Sequence, residues 1–353
     1  MASLAGRVRG ALNAASHARE LRGRRPPAIE VGPPTGSSTI YYLTPDEVAP
    51  RGGVKMLYRH VELLGELGRP AVVLHSRPGF RATWFDHATP TASAPEVRLS
   101  PDDVLVVPEF YAVGFADLPA QPRKVVFNQG AYHTFDHIPF TATGPGHPYT
   151  GIPNLVAMLT VSRDSADLLR YTFPGIPVHQ ARAVLDAGVF FPDPVPATQR
   201  QLAFVPRRRV AEREQLLHIL RSRGVLDGWR LVPIEGYTEG QTADIMRASP
   251  IFLSFSEREG FGLPPVEAMA CGSFVVGFTG LGGREYFDPS YSTPVTESDL
   301  LAFARAVEDA VRRFDADPGE LAAAGRRASD AVLGRYHADG LRADLDAFYG
   351  QLT

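Results

Sequence analysis

The sequence has one cysteine, two tryptophans and two lysines (Lys55 and Lys124) in 353 residues. It has no apolar run long enough to cross a bilayer and nothing that reads as a secretory signal. A lone Cys271 excludes an internal disulfide, and its place in Ala270-Cys271-Gly272 marks it as a small packing residue, not a nucleophile. These absences together point to the cytoplasm. A formal net charge of −3 excludes nucleic-acid binding by bulk charge. Lysine is so scarce that arginine must serve wherever a cation is needed, and its planar fork suits phosphate better than a point charge does. With 44% apolar residues the chain is an ordinary globular protein, too long for one core, so two domains are expected.

One stretch, Pro250 to Phe287, organises the rest. Ile251 to Phe255 is a short apolar run of the kind that forms a strand buried in a parallel sheet. The polar loop Ser256 to Gly262 follows. Pro264 and Pro265 then stand where a helix begins, which places Glu267 in its first turn, and Gly272 is placed to end it. Phe274 to Phe278 is a second strand. A loop at the carboxyl end of a strand is where open α/β sheets bind ligands. Gly260 and Gly262 admit a ligand close to the backbone, and free N–H groups at a helix start favour an anion such as phosphate. Glu259 and Glu267 bracket this loop, and a carboxylate accepts the paired hydroxyls of a ribose or a hexose. Taken singly, each acid also reads as a solvated loop residue or a partner of the helix dipole.

The run Glu259-Gly260-Phe261-Gly262-Leu263-Pro264-Pro265-Val266-Glu267-Ala-Met-Ala-Cys-Gly resembles the E-x7-E signature of the retaining GT-B glycosyltransferases, a family that uses nucleotide sugars. Gly282-Gly283-Arg284-Glu285 continues the pattern, and the likeness is specific over about residues 201–290. It implies an α/β protein of GT-B type, with two Rossmann-like doubly wound domains facing a central cleft. It also implies that Glu259 contacts the hydroxyls of the donor sugar, that Glu267 contacts the ribose, and that the backbone of Gly260, Phe261, Gly262 and Leu263 holds the diphosphate. Arg207, after the strand Leu202 to Val205, matches a phosphate-binding arginine of the family. The lysine that follows in relatives is absent here, and Arg208 or Arg213 is the candidate substitute. Read by themselves, Arg207-Arg208-Arg209 are either an anion site or a solvated basic helix start.

The order of the chain fits this plan. Residues 1–36 form a basic extension and linker. Residues 1–25 have the pattern of an amphipathic helix suited to an anionic membrane face or of a loosely docked extension. Residues 37–192 are expected as the first Rossmann-like domain, on the acceptor side, with strands near 39–43, 71–75, 104–107, 124–127, 155–160 and 178–183. The proline-dense stretch 191–196 is expected to break it from the second, donor-side domain at 193–335. The segment 336–353 is expected as a terminal helix that crosses back, by analogy with the resembling family. Gly52 and Gly53 follow the first strand and read as a close-approach loop or a tight turn; in relatives that loop touches donor phosphate and acceptor. His133 follows the fourth strand and reads as a sugar-hydroxyl ligand, a proton shuttle or an ordinary loop histidine, with Gln129 a weaker candidate.

The expected function is metal-independent, retaining transfer of a sugar from a nucleotide diphosphate sugar to an acceptor hydroxyl. It needs no cofactor and has Glu259, His133 and Arg207 as the catalytic candidates. The alternatives are a sugar-nucleotide epimerase or hydrolase of the same fold, and a non-catalytic nucleotide-sugar-binding subunit.

Overall fold

The structure is a computed structural model that describes residues 21–352. The basic segment expected at residues 1–25 therefore lies almost wholly outside the described residues. The chain divides into two compact units, one of residues up to 160 with 168–179 and 348 onward, the other of 161–167 and 180–347. The proline-dense stretch at 191–196 lies within the second unit.

The first unit is built on a seven-stranded sheet: β1 (Ile40–Leu43), β2 (Ala71–His75), β3 (Thr91–Ser93), β4 (Val104–Pro108), β5 (Arg123–Asn128), β6 (Leu155–Thr160) and β7 (Val178–Gln180). Its spatial order is β3-β2-β1-β4-β5-β6-β7, and every pairing recorded within it is parallel. Central strands such as β4, Val-Leu-Val-Val-Pro, are buried along their whole length, as continuous apolar runs are when helices cover both faces. Helix α1 (Gly52–Glu66) follows β1 and buries Val54, Leu57, Tyr58, Val61 and Leu64, one stripe at helical spacing. Helix α2 (Arg163–Thr172) follows β6, with the Ser162 hydroxyl accepting from the Ser165 N–H at 3.1 Å.

The second unit is built on a five-stranded parallel sheet: β8 (Gln201–Phe204), β9 (Arg230–Pro233), β10 (Ile251–Glu259), β11 (Phe274–Leu281) and β12 (Ser292–Val295). Its order is β9-β8-β10-β11-β12. Helices α3 (Val210–Ser222), α4 (Glu239–Arg247), α5 (Leu263–Ala270), α6 (Leu300–Ala316) and α7 (Pro318–Arg335) complete it. Helix α5 ends at Cys271, and Gly272 follows at φ +86°, the left-handed residue that stops a helix. The last helix, α8 (Ala338–Gly350), starts in the second unit, and its residues from 348 on group with the first. There the Tyr349 and Tyr42 hydroxyls stand 2.8 Å apart, and Tyr42 Oη lies 3.1 Å from His60 Nδ1.

Among the described residues no helix is long and apolar enough to cross a membrane.

Candidate functional site

In each sheet the chain builds strands outward on one side and then resumes on the other. The reversal falls between β8 and β10 in the second unit and between β1 and β4 in the first. At such a switch point the loops leaving the carboxyl ends diverge and leave a crevice for a ligand. Arg207, Arg208 and Arg209 leave β8, and Glu259 ends β10, so the residues singled out by sequence flank the reversal of the second unit.

The glycine loop after β10 has a fixed and unusual path. The register of β10 against β11 shifts between Ser256 and Glu259, Arg258 has φ +46°, and Gly262 has φ +87°. A side chain at Gly262 would be strained by that angle, and its Cβ would stand 2.9 Å from the Tyr286 hydroxyl. Tyr286 explains why the loop holds its shape. Its hydroxyl donates to the carbonyls of Phe261 at 3.0 Å and Gly262 at 2.6 Å. Burial pushes the Tyr286 phenol well above its ordinary pKa, with Tyr336 and Glu259 adding to the shift, so it remains a donor at neutral pH. Phe261 is buried with its ring against Tyr286 and Tyr336, at 5.2 and 4.9 Å between centroids. On the other side Gly282 presses backbone to backbone, since a Cβ there would fall 2.2 Å from the Gly260 carbonyl oxygen.

Helix α5 begins at Leu263, with Pro264 and Pro265 as its second and third residues. Two corrections follow. Glu267 is the fifth helical residue, in the second turn and not the first, because the helix starts one residue ahead of the prolines. Moreover, two of the four N–H groups a helix start normally leaves free are missing, which leaves those of Gly262 and Leu263 to face an anion. Glu267 is partly exposed on this helix.

The arginines divide sharply. Arg209, at φ +45° just ahead of α3, is spent on the protein. It donates to the Ser256 carbonyl at 2.9 Å, pairs with Glu212 at 2.9 Å and with Glu297, and lies 4.5 Å over the Phe278 ring. Glu297 in turn accepts from the Gly280 N–H at 3.1 Å, so this one ion pair ties the ends of three strands together. Arg213 is buried, donating to the Pro206 carbonyl and pairing with Glu214 at 2.6 Å. Arg208 pairs with Glu259, Nε to Oε1 at 3.1 Å. Arg207 is exposed and has no partner among the described residues. Local acids thus neutralise three of the four, and Arg207 remains for an external anion.

Glu285, quoted above only as part of a pattern, proves to be a hub of the second unit. Its nearly buried carboxylate accepts from the Arg163 N–H at 2.7 Å and from the Tyr336 hydroxyl at 2.8 Å, and it pairs with Arg335 at 3.6 Å. Beside it Arg284 pairs with Asp164 at 2.9 Å.

The first unit carries a second cluster at its own reversal. Gly52 and Gly53 open α1, and the Gly53 carbonyl accepts from the Gln129 side chain at 3.1 Å. His133 is half-buried, its Nδ1 2.7 Å from Asp136 Oδ2. Asn128, fully buried at the end of β5, shapes this loop: its amide donates to Thr134 and Tyr149, and its oxygen accepts from the Gly130 N–H. Among the described residues no group of three or more His, Cys, Asp or Glu side chains is arranged to hold a metal ion.

Residues 226–323 match the family described as glycosyl transferases group 1. An alpha-1,6-glucosyltransferase of Actinobacillus pleuropneumoniae serotype 7 is 28% identical over 232 residues. That match spans 62% of this chain and 66% of the relative, just under two-thirds of its length. Among solved structures, the sucrose-phosphate synthase of Thermosynechococcus elongatus is similar with a TM-score of 0.62 at 14% identity, over 90% of this chain and 99% of its own. Anabaena HepE, in complex with UDP and glucose, is similar with a TM-score of 0.63 at 12% identity, over 89% and 99%. The fold is GT-B, and within it residues 226–323 are similar to the glycosyl transferases group 1 family.

Proposed function

We propose that this chain moves a sugar from a nucleoside diphosphate sugar to an acceptor hydroxyl, with retention at the anomeric carbon and without a metal ion. The observation that carries the reading is the group at the reversal of the second sheet: an uncommitted Arg207, a pinned glycine loop, and two carboxylates on either side of it. Arg207 and the N–H groups of Gly262 and Leu263 meet the diphosphate. Glu267 takes the ribose hydroxyls, and Glu259, oriented by Arg208, takes those of the sugar. As the glycosidic bond breaks, negative charge grows on the departing diphosphate, and fixed positive groups aimed there lower the barrier. In the first unit, Gly52 and Gly53 offer a close approach at that unit's own reversal, and His133, with Nδ1 held by Asp136, presents Nε2 there for a hydroxyl ligand.

The glucosyltransferase relative makes a glucosyl donor the first to try. The test is release of nucleoside diphosphate that depends on an added acceptor, with the anomer of the product read by NMR and with and without a chelator. An α-linked product from an α-linked donor, formed at the same rate with the chelator, supports the reading. Diphosphate release with no glycoside under any acceptor moves the protein to the hydrolase or epimerase class. An inverted product overturns retention.

A further inference from the structure

The first turn of α2 follows β6 in sequence, yet residues 161–167 group with the second unit. Three bonds build it into that unit. The Arg163 N–H donates to Glu285 at 2.7 Å, and Asp164 pairs with Arg284 at 2.9 Å. The third comes from Ser165, which is fully buried and has no part in the reading above. Its hydroxyl donates at 3.3 Å to the Gly260 carbonyl, 95 residues away, the one acceptor it has among the described residues.

Three consecutive carbonyls of the glycine loop are therefore held from within the second unit: that of Gly260 by Ser165, and those of Phe261 and Gly262 by Tyr286. The peptide bonds of this loop are trans, and in a planar trans peptide the C=O and the N–H point in opposite directions. A hydroxyl that holds a carbonyl on one side thus aims the next residue's N–H to the other side. The N–H groups aimed in this way belong to Phe261, Gly262 and Leu263, and none of them finds a backbone acceptor among the described residues. Successive N–H groups around a left-handed residue, here Gly262 at φ +87°, form a concave cradle for an anion.

We propose that Ser165 is a positioning residue for the diphosphate. By holding the Gly260 carbonyl it turns the Phe261 N–H toward the anion, as Tyr286 does for the N–H groups of Gly262 and Leu263. This rests on the glycosyl-transfer reading and deepens it, adding the start of α2 to the machinery of the donor site. Without the hydroxyl, the peptide between Gly260 and Phe261 loses the bond that fixes its orientation, and the anion must order it on binding. The effect falls on the diphosphate and spares the rest of the nucleotide.

The test compares UDP, GDP and ADP with their nucleosides, the diphosphates titrated by calorimetry and the nucleosides by NMR, in wild type, Ser165→Ala and Ser162→Ala. The ratio of nucleoside Kd to diphosphate Kd reads the phosphate contacts alone. Alanine is smaller than serine and a better helix former, so Ser165→Ala is expected to fold. Ser162→Ala is the control for a loosened helix start, because the Ser162 hydroxyl caps the same turn at the Ser165 N–H and gives nothing to the loop. For the base that binds, Ser165→Ala should lower the ratio at least fivefold with nucleoside Kd within twofold of wild type. Ser162→Ala should keep the ratio within twofold. An unchanged ratio in Ser165→Ala, or an equal fall in both variants, overturns the proposal. A wild type for which no diphosphate binds more tightly than its nucleoside instead overturns the diphosphate reading on which the proposal stands.

Discussion

Replacing Tyr286 with phenylalanine removes one oxygen from the interior of the second unit and tests whether the glycine loop is held from behind. The lost hydroxyl serves two carbonyls, those of Phe261 and Gly262. A buried hydrogen bond is worth about 1 kcal/mol net, rising to about 3 kcal/mol if the carbonyls find no other donor. For a domain of this size each kcal/mol lowers Tm by about 2–4 °C. If the donor must then reorder the loop as it binds, the same free energy is lost from binding, and 1 kcal/mol corresponds to about a fivefold weaker Kd. Ser329→Ala is the control. Its buried hydroxyl donates to the Ala270 carbonyl at the far end of α5, so it should cost similar stability with no change in donor Kd. Calorimetric titration of the donor, with thermal melts of both variants, reads the two effects apart. Tyr286→Phe with a lowered Tm and an unchanged Kd would refute the reasoning, because the loop would then hold its shape without the hydroxyl.

Arg207→Ala should weaken nucleoside diphosphate binding by about 1.5–3 kcal/mol, the worth of a hydrogen bond to a charged group, while leaving Tm nearly unchanged. Equal binding by Arg207→Ala and wild type in the same titration would remove Arg207 from the site. Stability should also fall in acid because of His60, which is fully buried and whose pKa burial lowers to about 3. The unfolded chain takes up this proton near 6.5, so between about 6.5 and 3 the unfolded state binds more protons than the folded one. Stability is complete above that window and is lost by up to about 1.4 kcal/mol per pH unit as the pH drops through it. Urea melts of His60→Gln should show a shallower pH slope, and an identical slope would exclude His60 as its source.

Much of the fold was legible because parallel strands buried on both faces read as unbroken apolar runs, and β2 and β6 fall where those runs predict. The strands missed, Glu30–Val31, Thr91–Ser93, Arg98–Leu99 and Ser292–Val295, are two to four residues long and mostly polar, charged or proline-bearing, so no apolar run marks them. At the site, the acids and glycines of 259–267 stood out because their chemistry is local. Glu267 was read one residue too early in the helix because proline is common at the first helical position, whereas here Leu263 takes that place. What sequence alone did not reveal depends on partners far along the chain. Tyr286 reaches back 24 residues to Gly262. The division among the arginines turns on acids as distant as Glu297, 88 residues from Arg209.

The most direct test of the donor site is titration of wild type and Glu267→Ala with a panel of nucleoside diphosphate sugars. One nucleotide series should bind the wild type, and the substitution should weaken it at least tenfold while the melting temperature stays within a few degrees. Failure of every nucleotide sugar to bind the wild type, or equal binding by the variant, would contradict the account.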